Sequence, residues 1–399
     1  MKIGNRITAR IVDVAFGGDG VARGEDRVIF VPFTVDGDEA EVEITAVRKR
    51  YARGRLLRII TPSERRTSPL CRYYARCGGC RMQHIAYPHQ LEIKHRQVAE
   101  IFRRIAKMPC PPVAPVIASP RPYGYRGKAE FHLAGGRGGV WRMGLMAEAS
   151  HDLVEVTRCE LADESINRKY GHFREALRCS PVPVPGGRQV FWSDEPGDSP
   201  MEVVPGPDLP REITRRVRGK GMAVPYGGFF QANVALVGEL VGQVEAMSAL
   251  SGRETVIDAY GGVGLFSLFL GPRARRVVLI EGNREAARCA ECNVRGEGLI
   301  RVEVLPGDVA RMLTRAFVAT RERADVVVLD PPRDGCGTEV IAALEVMRPK
   351  RIVYVSCNPA TQARDVGLLL ERGWSLRLLQ PMDMFPQTAH LEVIALLTA

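Results

Sequence analysis

Two residues near the end of the chain carry the most reactive side chains in the most telling places. In Val355-Ser356-Cys357-Asn358-Pro359 a cysteine follows an apolar run and precedes a polar, proline-bounded turn. A thiol at the carboxyl end of a strand is placed for nucleophilic attack, whereas a cysteine inside a strand is usually packing. Further on, Asp383-Met384-Phe385-Pro386-Gln387-Thr388-Ala389-His390-Leu391-Glu392 delivers a carboxylate just before a last apolar run, Val393–Leu397. A thiol and a carboxylate on one rim can perform nucleophilic addition followed by proton removal.

A second set of residues points to a cofactor. Asp258-Ala259-Tyr260-Gly261-Gly262-Val263-Gly264 ends one apolar run, and Gly262 and Gly264 would let the backbone approach a ligand closely. The next run ends in Glu281, placed to accept hydrogen bonds from ribose hydroxyls. Asp308 follows the third run, and Asp330-Pro331-Pro332-Arg333 ends the fourth. The natural ligand is an adenosine-containing cofactor. A dinucleotide fits less well, because Ser267 stands where its fingerprint has a third glycine.

The cysteines divide into groups. Cys71, Cys77 and Cys80 lie within ten residues, one thiolate short of the four that an iron–sulfur cluster or a structural zinc prefers. Spacing does not separate the two metals. Cys289-Ala290-Glu291-Cys292 has a metal-like gap but no second pair in reach, so it is read as helix surface and packing. Cys110, Cys179 and Cys336 read as ordinary free thiols.

The elements that must position these groups follow from the hydrophobic pattern. From about residue 216, the runs Thr255–Ala259, Arg276–Ile280, Val302–Leu305, Asp325–Leu329 and Arg351–Ser356 alternate with helical stretches. That is the pattern of a doubly wound α/β sheet, whose ligands sit at the carboxyl ends of the strands. Residues 1–60 read as a small β-barrel, with strands such as Arg6–Val14, Arg27–Val31 and Glu41–Val47 separated by glycine turns. Between them, 61–215 form a β-rich central domain. It contains the cysteine segment, a basic helix from Pro88 to Lys107, glycine-separated strands around Gly135–Gly139, and a proline-dense stretch from Pro181 to Pro210.

The chain of 399 residues has 56 Lys and Arg against 46 Asp and Glu, a formal charge of +10, with pI near 9.2. Such an excess favours a polyanionic partner, nucleic acid before a membrane surface. The opening Met1-Lys2-Ile3-Gly4-Asn5-Arg6 has no apolar core of a signal peptide, and no apolar run reaches the length of a membrane span. A cytoplasmic protein is expected, in which ten cysteines stay reduced.

Three stretches carry specific resemblances. Phe16-Gly17-Gly18-Asp19-Gly20-Val21-Ala22-Arg23, Val31-Pro32-Phe33 and Lys49-Arg50-Tyr51-Ala52-Arg53-Gly54 resemble the TRAM domain, an RNA-binding barrel. The glycine loop with Glu281, Asp308 and Asp330 resembles class I (Rossmann-like) S-adenosylmethionine methyltransferases. Phe229-Phe230-Gln231-Ala232-Asn233, Asp330-Pro331-Pro332-Arg333-Asp334-Gly335, Ser356-Cys357-Asn358-Pro359 and His390-Leu391-Glu392 resemble, in order, the motifs of RNA uracil-5 methyltransferases. The similarity covers essentially the whole chain.

The chemistry of such an enzyme matches the residues. Carbon 5 of uracil attacks a sulfonium methyl only after a thiolate has added to carbon 6, and the carbon 5 proton must then leave. The resemblance implies Cys357 as nucleophile and Glu392 as base. It implies that Gln231, Tyr260, Gly262, Gly264, Glu281, Asp308 and Asp330 line the cofactor and uracil pocket, and that Phe229 or Phe230 stacks near a flipped base. It further implies that Cys159, in Val156-Thr157-Arg158-Cys159-Glu160-Leu161, joins Cys71, Cys77 and Cys80 around a 4Fe-4S cluster. The expected substrate is 23S rRNA, with tRNA as the alternative. The expected enzyme is a monomer, and His84, His89 and His95 face RNA or solvent. Two positions depart from the family pattern: Gly261 replaces a usual cysteine, and Leu265 a usual asparagine or threonine.

Three other functions were weighed. An amino-group methyltransferase would also use Asp-Pro-Pro but needs neither Cys357 nor Glu392. A purely RNA-binding protein has no use for thiolate, base and cofactor acids together. An NAD-linked oxidoreductase lacks both the glycine pattern and an evident acid for hydride transfer.

Overall fold

A computed structural model describes residues 1–24, 27–135, 141–148, 150, 152–179, 187–195, 203 and 210–399. Five strands, β1 (Arg6–Val14), β2 (Gly20–Arg23), β3 (Val28–Val31), β4 (Glu39–Val47) and β5 (Tyr51–Thr61), close a barrel in the order β1-β2-β3-β5-β4. Alternate residues point inward, so Ile11, Ile29, Val31, Val42 and Ile44 fill its centre. The long strand β5 is not evident in the sequence because its inward positions are small. A side chain at Gly54 would meet Val42 Cγ1 at 2.2 Å, so the hydrophobic alternation that signals a strand is missing there.

The central region holds a four-stranded sheet, ordered β8-β7-β6-β9, from β6 (Lys128–Gly135), β7 (Trp141–Met146), β8 (Leu153–Glu155) and β9 (Arg188–Trp192). Helix α2 (Glu164–Cys179) packs on it through an aromatic cluster in which Phe131 and Tyr170 stack at 4.1 Å. Most of the glycine cluster after Gly135 and most of the Pro181–Pro210 stretch lie outside the described residues, as does the Cys179 side chain.

Helix α1 (Tyr87–Ile105) starts with Pro88 in its first turn, where a missing N–H costs nothing. It joins two cores: Ile93 packs with barrel residues Val14 and Val35, while Val98 and Phe102 belong to the core of the C-terminal sheet. Lys94, on the same helix, is fully buried against Asp383, Nζ to Oδ1 2.6 Å. Removing one partner of such a pair costs about 3–5 kcal/mol, because the other charge stays buried.

After the hairpin β10 (Glu212–Val217) and β11 (Lys220–Pro225), seven strands form the C-terminal sheet. They are β12 (Thr255–Ala259), β13 (Arg276–Glu281), β14 (Val302–Pro306), β15 (Val326–Leu329), β16 (Arg351–Ser356), β17 (Ser375–Met382) and β18 (Glu392–Thr398). Their order is β14-β13-β12-β15-β16-β18-β17, parallel except for β18, which runs antiparallel to both neighbours. The chain moves one way from β12 and the other way to β15, so the crevice at their carboxyl ends is the topological switch point. The strands are continuously apolar because helices α3 (Val237–Ser248), α4 (Ser267–Leu270) and α5 (Arg284–Gly296) cover one face. Helices α1, α6 (Val309–Leu313), α7 (Thr338–Met347) and α8 (Pro359–Glu371) cover the other.

Strand β17 was not foreseen, since Gln380-Pro381 interrupts its pattern. Proline is tolerated because β17 is the last strand of the sheet, flanked by the proline-rich segment through bridges at Val113–Leu379 and Ile117–Met382. Among the described residues, no helix is long and apolar enough to cross a membrane.

Candidate active site

The loop after β12 bends sharply: Tyr260, Gly262 and Gly264 have φ of 63°, 56° and 92°. The Gly261 N–H donates to the Ile280 carbonyl at 3.1 Å and the Gly264 N–H to the Gly261 carbonyl at 2.9 Å, which ties the turn to β13. At the end of β13 the Glu281 carboxylate accepts from the Gly262 N–H (2.8 Å) and the Asn283 N–H (2.6 Å). Asp308 caps α6 by accepting from the Arg311 N–H at 2.9 Å. Below the loop, the buried Asp258 accepts from the N–H and hydroxyl of Ser267 at 3.0 and 2.6 Å. The missing cysteine at position 261 has a physical reason: a side chain there would meet Leu279 Cγ at 2.5 Å.

These elements enclose a cavity of about 930 Å³. Gln231, Tyr260, Gly262, Glu281, Asp308 and Asp330 line it, together with Cys357 and Glu392. That volume lies at the upper end of the roughly 300–1,000 Å³ typical of small-molecule pockets. Gly264 is not brought to the wall; it closes the turn beneath it, against Leu279 and Ala290. Of the two phenylalanines, Phe230 is packed in the core at 6% exposure, whereas Phe229 is 75% exposed. Both rings line the cavity, and Phe229 is the solvent-exposed one.

Cys357 sits immediately after β16, half-buried in the cavity wall. Its turn is braced on both sides. Asn358 Oδ1 accepts from the Ala360 N–H, capping α8, while Asn358 Nδ2 donates to the Arg333 carbonyl at 3.0 Å. The Thr361 hydroxyl donates to the same carbonyl at 2.9 Å, so the nucleophile turn and the Asp330–Arg333 turn move as one piece.

Two carboxyls in the cavity wall, Asp330 and Glu392, and one beneath it, Asp258, resist ionisation. Burial, reinforced by Asp258 and Glu281, pushes Asp330 up to about 7. Burial also lifts Asp258 to about 6, against the pull of its Ser267 hydrogen bonds. Glu392, at the first position of β18, is raised well above the usual carboxylate range by burial and then by Asp330, with Arg333 opposing. A carboxyl shifted upward is a stronger base than an ordinary carboxylate. The Cys357 thiol is likewise raised by burial and then by Glu392, while the Arg333 guanidinium favours the thiolate by charge and hydrogen bond.

Sequence alone marks Arg333 only as the residue after Asp-Pro-Pro; in the fold its guanidinium favours the charged forms of both Cys357 and Glu392. With a thiol held above its ordinary value of 9, carbamidomethylation of Cys357 by iodoacetamide should accelerate about tenfold per pH unit up to at least pH 9. Arg333→Ala should raise the thiol further and slow the reaction several-fold at pH 8. Peptide mapping of Cys357 reads both, and equal rates in the two proteins would remove Arg333 from the account.

A second cavity, of about 360 Å³, is lined by Cys71, Cys77, Cys80 and Cys159. Its walls include Tyr73, Phe131, Leu145 and Arg126. The approach of Cys159 is fixed by Asn167, whose Oδ1 accepts from the Cys159 N–H at 2.9 Å, and that of Cys71 by Gln83 Oε1, which accepts from its N–H at 3.0 Å. Among the described residues, no group of three or more His, Cys, Asp or Glu side chains is placed to hold a metal ion, so the expected cluster site is not brought together as a ligand set. Cys289 is buried on α5 while Cys292 is exposed, so that pair diverges. Cys336 is buried and Cys110 exposed.

Two of the three histidines do not face RNA or solvent. His84 is buried, with Nδ1 2.6 Å from the Tyr74 hydroxyl, and burial lowers its pKa to about 4. His89 is buried between Asp36 (2.8 Å) and Glu92 (2.7 Å). The helical pattern hid this, because both lie where the barrel packs on the cysteine segment and α1. His95 is half-buried, 3.4 Å from the Val113 carbonyl.

Comparison with known proteins agrees with this geometry. A sequence-family model described as tRNA (Uracil-5-)-methyltransferase matches residues 214–399, and a TRAM domain model matches residues 1–57. An uncharacterized RNA methyltransferase of Nitratidesulfovibrio vulgaris is 33% identical over 96% of this chain and 94% of its own. Another, of Thermosynechococcus vestitus, is 32% identical over 99% and 98%. In fold, the chain is similar to the Pyrococcus abyssi tRNA (uracil-54, C5)-methyltransferase solved with S-adenosyl-L-homocysteine. The TM-score is 0.72 and the identity 23%, over 98% of this chain and 100% of that one. With a TRAM barrel, a C-terminal half that matches the uracil-5 methyltransferase model, and full-length relatives named as RNA methyltransferases, the chain belongs to the RNA uracil-5 methyltransferase family.

Proposed function

We propose that this enzyme forms 5-methyluridine through a covalent intermediate on Cys357, and that 23S rRNA is its substrate. The observation that carries the mechanism is the single cavity that holds Cys357, Glu392 and the acid set. S-adenosylmethionine supplies a methyl group on a cationic sulfur. The Cys357 thiolate bonds to carbon 6 of a flipped uracil, and the ring electrons collect at carbon 5 and the adjoining carbonyl. Carbon 5 then takes the methyl group, and the departing thioether keeps the pair of electrons that had bound it. Glu392 removes the carbon 5 proton, the electrons return to the ring, and the bond to sulfur breaks, releasing the thiolate. Gln231, Tyr260, Gly262, Glu281, Asp308 and Asp330 frame the cofactor and the base, and Arg333 balances charge at the thiol. Gly264 acts beneath them, by shaping the turn.

The four-cysteine cavity suits a 4Fe-4S cluster. Cys71, Cys77, Cys80 and Cys159 line one apolar-walled space and would be its four ligands, with zinc as the alternative metal. Anaerobically purified protein should be brown, with iron and sulfide near four each per chain, and colourless protein with stoichiometric zinc would refute the cluster. The barrel and the basic charge support a structured RNA partner. Transfer RNA is a second reading, favoured by the tRNA (Uracil-5-)-methyltransferase family model over residues 214–399 and by the archaeal structure. Mapping 5-methyluridine in ribosomal and transfer RNA from a deletion strain tests the choice. Loss from 23S rRNA alone supports the proposal; loss from tRNA alone overturns the substrate, and no loss at all overturns the activity.

A further inference from the structure

The connection 383–391 between β17 and β18 has the base immediately after it and Phe385, a cavity-lining residue, within it. Glu392 and Met382 form the end pair of this hairpin, the pair most exposed to fraying. What holds the connection is not the hairpin itself but residues almost three hundred positions earlier. Gln90 of α1, fully buried, accepts from the Gln387 N–H at 3.1 Å and donates from Nε2 to Gln387 Oε1 at 2.9 Å. The same Nε2 also donates to the carbonyls of Met82 and Ile85. The Gln387 carbonyl in turn accepts from the N–H groups of Arg81 and Met82 at 3.1 and 3.0 Å. One turn along the helix, Lys94 Nζ bonds Asp383 at 2.6 Å and the Phe385 carbonyl at 3.2 Å, and the Tyr125 hydroxyl donates to the Pro386 carbonyl at 3.1 Å.

Gln387 has φ of +66°, a conformation that a side-chain-bearing residue keeps only where its surroundings over-determine it. Gln90 meets both its backbone N–H and its amide oxygen, leaving neither polar group to find another partner. A buried amide is expensive unless satisfied, so the pair admits one register and no slip.

We propose that Gln90 is a positioning residue for proton abstraction: by clamping Gln387 it fixes the 383–391 connection and, through it, the Glu392 carboxyl against the reacting carbon. The inference rests on reading Glu392 as the base. Cys357 lies on a different turn, braced by Arg333 and α8, so addition and methyl transfer depend less on the clamp than proton removal does.

The test is a single-turnover reaction with methyl-labelled cofactor, in which total labelled RNA and free labelled RNA are counted separately on denaturing gels. Gln90→Leu should leave total methyl transfer within about twofold of wild type while release of free product falls about a hundredfold, the cost of an ångström-scale misplacement. Label should accumulate in a protein–RNA adduct. Gln97→Leu is the matched control, since Gln97 is buried on the same helix but bonds the Val14 carbonyl of the barrel; it should leave the partition unchanged. Gln387→Asn keeps a residue that tolerates positive φ and withdraws the amide from Gln90, and it should shift the partition the same way even if Gln90→Leu does not fold. Methyl transfer and release falling together, or the same partition in Gln97→Leu, would overturn the clamp. Failure of the underlying reading shows separately, as Glu392→Gln protein that releases free product at the wild-type rate.

Discussion

Cys357→Ala is expected to abolish methyl transfer to uridine while leaving cofactor binding and the melting temperature close to wild type. The thiol sits half-buried on a turn held by backbone and Asn358 contacts that do not involve its sulfur, so its removal opens little space. Without addition to carbon 6, carbon 5 has no enolate electrons to offer. Loss of an essential nucleophile typically costs about a millionfold in turnover. Scintillation counting of methyl-labelled RNA measures the loss, and isothermal titration with S-adenosylhomocysteine checks that the cavity is intact. A variant that methylates carbon 5 at even a hundredth of the wild-type rate would exclude the thiol as the attacking group.

The second large effect belongs to Glu392. A carboxyl that only braced the cavity would, on substitution by glutamine, slow every step in proportion. A base that acts after methyl transfer leaves the early steps intact and blocks the last one. Glu392→Gln should therefore accumulate a covalent protein–RNA adduct that already carries the methyl group, with free product reduced about a thousandfold or more. The pH dependence should change too. In wild type, the raised carboxyl must ionise to act, so product release should climb as pH rises through its titration and level off above it. Glu392→Gln should lose that limb. Adduct and product both absent would leave the bracing role ahead, and normal multiple turnover would assign the proton to another group or to water.

Much of this site was legible in the residues because each functional group ends a strand of a parallel sheet. Strands β12 and β16 have the bounds expected from their apolar runs, Thr255–Ala259 and Arg351–Ser356, and β13, β14 and β15 differ from expectation by one residue at an end. Once those ends are known, topology alone gathers the Tyr260 loop, Glu281, Asp330 and Cys357 at one switch point. What the pattern did not give were features decided by pairing across distance. The inward face of β5 carries small residues that fit under Val42, so its strand signal is weak. The Lys94 side chain reads as surface charge until Asp383 is seen beside it. His84 and His89 read as basic helix surface, yet they fill the seam between the barrel, the cysteine segment and α1. Gly264 reads as a cofactor-contacting glycine, and it stands outside the cavity lining, at φ 92°, in the turn that its N–H closes onto the Gly261 carbonyl.

The barrel also shows why charge counting alone would mislead. Arg55 pairs with Glu43 and Arg58 with Glu41 across β4 and β5, so part of the basic excess there is neutralised in register. Exposed pairs of this kind contribute about 0–1 kcal/mol each, and their effect on RNA is to remove positive charge from that face.

The central claim is a bond between Cys357 and carbon 6 of a uridine, formed in the course of methylation at carbon 5. Replacing the target uridine by 5-fluorouridine removes the proton that Glu392 would take, so the reaction should halt after methyl transfer with the protein still attached. Incubating enzyme, S-adenosylmethionine and fluorinated RNA, digesting with protease and nuclease, and sequencing the linked peptide by mass spectrometry reads the bond directly. One nucleotide, methylated and fluorinated at carbon 5, is expected on the peptide that contains Cys357. Attachment at another cysteine, or complete methylation with no peptide linked, would contradict it.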